Sequence, residues 1–197
     1  GPDSDTLVDG YDTTRVSLLS NWNHGWKISN GIILDFENEF GISQYDVQQH
    51  AAIGPETTQM FGAGAVGLRW PWYRSNSTGN IGVVEPQIQL VRSVSSNSAV
   101  PNEDSTQVEF DEGNLFRLNR APGLDLIERG TRLNIGLAGS QFMKSGSNLN
   151  WKIGKVLRTD ALSTFPSGSG LSNSISDWLL ATNFQQKNGI ELINRAV

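Results

Sequence analysis

Apolar and polar side chains change places at every second residue along this chain, in runs cut short by Gly, Ser and Asn. The longest run covers Ile28 to Gln44. Ile28, Ile32, Leu34, Phe36, Phe40 and Ile42 fall on one side, with Lys27, Ser29, Asp35, Glu37, Glu39 and Ser43 on the other. A period of two sorts side chains onto the two faces of a strand, whereas a helix would scatter them around its axis. The alternation recurs at Val84-Pro86-Ile88-Leu90 against Glu85-Gln87-Gln89, at Leu133-Ile135-Leu137 against Arg132-Asn134, and at Leu149-Trp151-Ile153 against Asn150-Lys152. Near the end, runs over 175–183 and 190–195 are joined by Gln186-Lys187-Asn188-Gly189, whose Asn-Gly favours a hairpin turn. The pattern predicts roughly eight to ten strands and no helix. The expected fold class is all-β, an antiparallel up-and-down sheet.

The predicted connections come in two sizes. Asn23-His24-Gly25, flanked by Trp22 and Trp26, and Lys187-Asn188-Gly189 read as tight turns, while 71–80, 93–113 and 159–173 read as long polar loops. Short turns on one rim and long loops on the other are what a transmembrane β-barrel shows. Trp22, Trp26, Trp70, Trp72 and Tyr73 stand near predicted strand ends, where amphipathic rings form an interfacial girdle or pack beneath loops. The barrel reading predicts Ile32, Leu34, Phe36, Val84, Ile88, Leu90, Leu133, Ile135 and Leu137 toward lipid. It predicts Glu37, Glu39, Glu85, Gln87, Arg132 and Asn134 toward a wet lumen.

Composition narrows the alternatives. No run approaches the 18 or so apolar residues of a membrane helix, which leaves strands as the means of crossing. A net charge of −5 argues against a nucleic-acid partner, and the lack of cysteine removes disulfides and thiolate metal sites. Gly1-Pro2 reads as a protease scar, leaving 3–197 as one partial barrel domain with strands expected outside it.

Several motifs tempt and fail on their surroundings. Gly62-Ala63-Gly64-Ala65-Val66-Gly67 spells a dinucleotide fingerprint, but Leu68-Arg69-Trp70-Pro71 follows it where the phosphate-binding helix should begin. A small-residue strand with close backbone approach is the better reading. Asp35, Glu37, Glu39 and Gly41 lack the spacing of a calcium loop. His24 and His50, the two histidines, read as solvated loop residues, and Asn76-Ser77-Thr78 as an exposed loop. An acid/base hydrolase on Glu37, Glu39 or Asp104 has no supporting constellation. No catalytic residue, cofactor or metal is expected.

The densest stretch is Val100-Pro101-Asn102-Glu103-Asp104-Ser105, then Val108 to Phe116, Asn119-Arg120-Ala121-Pro122-Gly123-Leu124-Asp125, and Glu128 to Asn134. It mixes acids with arginines, which could order a loop through bidentate Arg–carboxylate pairs or lie solvated on a surface. Its order, NEDS … EFDEGNLF … NR.PG.D..E.G.R.N.GL, resembles the C-terminal barrel region of the LptD family. Arg15 to Leu18, Asn30 to Ile32, Leu68 to Pro71, Val84 to Pro86, Ser169 to Leu171 and Ser176 to Leu179 extend the likeness from about Asp12 to Arg195. Leu124-Asp125-Leu126 departs from the family, which tends to have Asp-Arg there.

The resemblance implies a non-catalytic part in placing lipopolysaccharide in the outer leaflet of a Gram-negative outer membrane, with an LptE-like lipoprotein plugging the lumen. It also implies that the jellyroll domain, the gate strands and the family's cysteines lie outside this chain. Asn102, Glu103, Asp104, Ser105, Asp111, Asn114, Asn119, Arg120, Gly123, Asp125, Glu128 and Arg132 become the expected structural or partner-contact residues of a loop that is extracellular or inserted in the lumen. The competing reading is a soluble β-sandwich or small-barrel binding module, with its apolar faces packed together. An isolated partial barrel is expected to self-associate through its strand edges.

Overall fold

The computed structural model describes residues 12–48, 56–96, 108–121, 123, 126–159, 165 and 168–197. Among these, nine strands form one antiparallel sheet: β1 (Asp12–Lys27), β2 (Ile33–Gln48), β3 (Glu56–Arg69), β4 (Trp72–Ser75), β5 (Ile81–Ser95), β6 (Gly130–Phe142), β7 (Asn148–Arg158), β8 (Leu179–Gln185) and β9 (Glu191–Ala196). Each pairs with its sequence neighbour, except that β3 and β4 both pair with β5. The register runs unbroken from Arg69↔Gln87 to Trp72↔Val84, so β4 continues β3 past Pro71. The sheet is an open meander, as part of a barrel wall would be.

Four tight turns share one chemistry. Ile28–Ile32, Asn76–Asn80, Met143–Ser147 and Gln186–Ile190 each close with an N–H from the first residue to the carbonyl of the fifth, at 2.7–3.1 Å. The fourth residue of each is a glycine at positive φ: Gly31, Gly79, Gly146 and Gly189. A side chain there would be strained, which is why Gly recurs at that place. All four turns lie on one rim. The opposite strand ends, at Gln48, Glu56, Ser95, Gly130 and Arg158, mark the other rim.

The pairing corrects several sequence expectations. Asn23-His24-Gly25 is not a turn but the interior of β1; the turn lies at Ser29–Gly31, so Ile28 and Ile32 flank it rather than continuing a strand face. The segment 71–80 is a short strand and a tight turn, not a long loop. Strand β5 extends to Ser95, and β8 begins at Leu179, Ile175 making only an isolated bridge to Leu157. Tertiary pairing supplied hydrogen-bond partners that local polarity gave no sign of.

Across the sheet the register aligns side chains into two faces. Outward rows carry Leu18, Phe36, Phe40, Val66, Leu68, Ile88, Leu90, Leu133, Ile135 and Leu180, with Leu18 66 % and Leu90 53 % exposed. No second sheet covers them among the described residues. Inward rows hold Asp35, Glu37, Glu39, Glu85, Gln87, Arg132 and Asn134. Trp70 and Trp72 stack edge to face at 5.1 Å on the tight-turn side, Trp70 donating its indole N–H to the Asn30 carbonyl at 2.9 Å. His24 faces outward between Trp22 and Trp26, its ring centroid 4.5 Å from that of Trp26, so it is a strand residue rather than a loop histidine. His50 lies outside the described residues.

Candidate functional site

The described residues of the segment 108–129 form no strand and lie against the inward face of β5–β7. Val108, Phe110, Leu115 and Ala121 pack with Val156 on β7, Leu179 on β8, and Phe165 and Leu171 from the following loop. Leu118 joins Ala63, Ala65 and Val91, which carries the contact to β3 and β5. The inward face of the wall therefore has a dry core of its own. Burying these side chains stabilises the segment by about 1.5–3 kcal/mol for each large one.

A socket of two glycines sets its depth. Gly136 and Gly154 are direct register partners on β6 and β7. A Cβ on Gly154 would lie 2.2 Å from Leu115 Cδ2, and one on Gly136 would lie 2.9 Å from Phe116 Cζ. Only side-chain-free positions let Leu115 and Phe116 reach the backbone of the wall.

Local turns then shape the segment. The Asp111 carboxylate accepts from the N–H groups of Gly113 and Asn114 at 2.7 and 2.8 Å, and the Asn114 side chain donates to the Glu109 carbonyl at 2.6 Å. Asn119 accepts from the Glu128 N–H and donates to the Leu126 carbonyl, both at 3.1 Å, drawing the two ends of a bend together. Both are side-chain mimics of backbone turns, the work short Asx side chains do best. Gly123, exposed at φ 75°, stands at the tip of that bend.

At the centre is Glu128, 1 % exposed. Arg120 Nη1 donates to both its oxygens, at 2.8 and 2.9 Å. Arg158 reaches Oε1 through Nη2 at 2.8 Å and Nε at 3.2 Å, and Arg132 Nε lies 3.6 Å away. All three arginines are buried. Several of their other donors meet neutral acceptors: Arg120 Nη2 the Leu115 carbonyl and Asn134 Oδ1, both at 2.6 Å, and Arg132 the carbonyls of Arg117 and Leu118 and Ser93 Oγ, while Arg120 Nε and Arg132 Nε are buried without a hydrogen-bond acceptor. Asn134 passes the network on to Gln89 at 2.7 Å.

The hub thus ties the segment (Arg120, Glu128) to β5 (Gln89, Ser93), β6 (Arg132, Asn134) and β7 (Arg158). Burial raises the Glu128 carboxyl, but Arg120, Arg132 and Arg158 outweigh it and hold the group below the ordinary carboxylate value. Burial lowers the Arg120 guanidinium, opposed by Glu128. Such a network discriminates one docked geometry from all others, because a displaced segment leaves buried charges unpaired.

A second tie lies nearer the tight-turn rim. Glu112 takes a bidentate pair from Arg195 on β9, both contacts at 2.6 Å, and its carbonyl accepts from Lys152 Nζ at 2.9 Å. Chiefly through Arg195, the Glu112 carboxyl is held below its usual range.

Of the residues expected from sequence, Asp111, Asn114, Asn119, Arg120, Glu128 and Arg132 are brought together in this segment and its hub. Asn102, Glu103, Asp104, Ser105 and Asp125 lie outside the described residues. Arg132 and Asn134 do face inward, yet Asn134 is 0 % exposed: both sit in the dry core, not in a wet lumen. Sequence reasoning missed Arg158, Gln89, Ser93 and the two glycines. Their inward register parity was readable; what lay across from them was not.

Toward the tight-turn rim the inward face is open around Asp35, Glu37 and Arg69. Asp35 forms a bidentate pair with Arg69, at 2.5 and 3.1 Å, and Glu85 lies 3.7 Å from the same guanidinium. Two cavities, of about 450 and 790 Å³, open between this wall and the segment, sharing Asn23, Glu37 and Phe116 in their linings. The wall thus combines inward polar side chains, an outward apolar face and an inner segment locked to it. The family model described as "LptD: LPS transport system D" matches residues 3–196.

The chain belongs to the LptD family. No curated protein matches it. The LptD match covers all nine strands and the hub, so the two-faced sheet and the segment over it are parts of a lipopolysaccharide-transport protein. The run Gly62 to Gly67, which spells a nucleotide fingerprint, is strand throughout, with Ala63 and Ala65 buried under Leu118.

Proposed function

We propose that this chain is a wall segment of the outer-membrane barrel that passes lipopolysaccharide to the outer leaflet, with 108–129 as a fixed inner partition. Its role is to shape the conduit, not to catalyse. The observation that carries the reading is the uncovered apolar outer face: a soluble sandwich would pack Leu18, Leu90 and Ile135 beneath a second sheet. In a bilayer the same rows meet acyl chains, and, the short β4 aside, the strands between the two edges, β1 and β9, hydrogen-bond to neighbours on both sides.

The partition divides the inner wall. Over β6–β8 it fills the face; over β1–β3 it leaves room, and an LptE-like lipoprotein plug is the occupant we assign to that open side. Asp35, Glu37, Glu39 and Glu85 make it unfavourable to phosphate groups and suitable for a partner with basic side chains.

Nitroxides on the full parent protein in bilayers test the wall. Labels at Phe36, Ile88 and Ile135 should be reached by oxygen and those at Glu37 and Gln87 by a water-soluble nickel chelate. Equal access to both reagents at all five positions would exclude a barrel wall. Crosslinking from Glu37 and Glu39 tests the plug: capture of a lipoprotein supports it, and capture of lipopolysaccharide alone overturns it.

A further inference from the structure

We propose that the outer face of β5–β7 binds a phosphorylated glycolipid headgroup at the long-loop rim, through Arg92, Lys155 and Trp178. The inference rests on the barrel-wall reading above, in which that rim meets the outer leaflet. By register, the outward strand positions from β5 to β9 carry two charged side chains, Arg92 and Lys155, and both are cations. Each stands three residues from the long-loop end of its strand, before Ser95 and Arg158. Their neighbours in the same rows are Leu90 and Val94 for Arg92, and Ile153 and Leu157 for Lys155. A cation on a lipid-facing wall is costly at the bilayer midplane and nearly neutral at the interface, so these two belong at headgroup level.

Neither cation is neutralised among the described residues. Arg92 donates one bond, Nη1 to Thr131 Oγ1 at 2.7 Å, and Lys155 Nζ lies 4.8 Å from the centroid of the exposed Trp178 ring. Most of the five guanidinium donors and all three ammonium donors stay open to an anion, and the guanidinium fork matches a phosphate.

Three features choose a lipid over a free phosphate. By register Leu90 and Leu133 lie between the rows of Arg92 and Lys155, Ile135 stands beside Lys155 and Ile153 one row beyond it, so the cations are set in a surface for acyl chains. Trp178 offers a flat ring on which the C–H face of a sugar can lie. The outward acids Asp46 and Glu56 sit opposite one another on β2 and β3, so the attraction is confined to β5–β7.

The test uses the full parent barrel in nonionic detergent, titrated with a bisphosphorylated diglucosamine lipid, its phosphate-free form and inorganic phosphate, with bound lipid counted by native mass spectrometry. The phosphorylated lipid should bind more tightly than the phosphate-free form by about fivefold for each cation engaged. Arg92→Gln with Lys155→Gln should abolish that difference, Arg92→Lys with Lys155→Arg should keep it, and Arg74→Gln, on the opposite rim, should leave it unchanged. Equal binding by the double Gln variant and the parent overturns the proposal, as does inorganic phosphate competing at millimolar concentration. Nitroxides at Ile88 and Leu90 reached by water rather than oxygen would overturn the barrel-wall reading instead, so the two failures are distinct.

Discussion

The inner faces of β1–β3 and β6–β8 belong to one register, yet beyond its contact with Leu118 the first is open and acidic around Asp35 and Glu37, while the second is roofed by a folded segment. On the open side, Asp35 and Glu85 share one partly exposed arginine. On the roofed side, one carboxylate holds three arginines whose side chains are almost wholly buried. The same Arg–carboxylate chemistry does different work in the two places. Exposed, it tunes the charge of a wall; buried, it fixes the position of a segment, because the cost of leaving a charge unpaired is large only where water cannot reach.

Removing the hub carboxylate should break this contrast most. Glu128→Ala should cost about 3–5 kcal/mol by stranding buried arginines. It should expose 108–129 to protease while labels on β1–β3 keep their accessibility. Limited proteolysis followed by mass spectrometry reads this directly, and an unchanged cleavage pattern would refute the latch.

Emptying the socket comes next. Leu115→Ala should cost about 2–5 kcal/mol through lost burial and the cavity left behind. Filling it with Gly154→Ala should cost about 1–3 kcal/mol by overpacking against the same side chain. Urea midpoints of the refolded parent barrel should show both losses; if the two combined cost no less than their sum, Leu115 and Gly154 do not share a contact.

Acid provides a graded version. The folded-state value of Glu128 lies below its unfolded one, so its stabilisation is complete above the ordinary carboxylate value near 4.3 and is lost as pH falls through the folded one. Protease sensitivity of 108–129 should therefore appear on acidification below about pH 4 and vanish on return to neutrality. Sensitivity that instead grows as pH rises above neutrality would reverse the sign of this argument.

The smallest effect belongs to the open wall. Asp35→Asn should change stability by about 1 kcal/mol or less, since Arg69 retains both Glu85 and solvent. A loss as large as that of Glu128→Ala would erase the distinction between the two halves.

Much of this architecture was legible before any coordinates. Alternation at 34–44, 84–90, 133–137 and 149–153 assigned each residue to its face, because a strand has only two. The dense acid–arginine stretch was legible only as a loop either ordered by Arg–carboxylate pairs or solvated, with no pairing assigned; the fold gives Glu128 to Arg120, Arg132 and Arg158. Asn23-His24-Gly25 misled, since polarity marks a turn only when no partner strand lies alongside. The signal that would have placed the turns is the repeated Gly at the fourth of five residues, in 28–32, 76–80, 143–147 and 186–190.

The sequence by itself determined the all-β class, its two-sidedness and the membership of this chain in a lipopolysaccharide-transport family, because side-chain period and local motif are one-dimensional properties. Tertiary structure alone decided that Arg158 meets Glu128 across 30 residues, and that Gly154 yields its space to Leu115. It also decided that Asn134 is dry while Glu37, facing the same interior, is not. Those outcomes depend on what lies opposite each residue, and exclusion of water depends on every element that closes over a site.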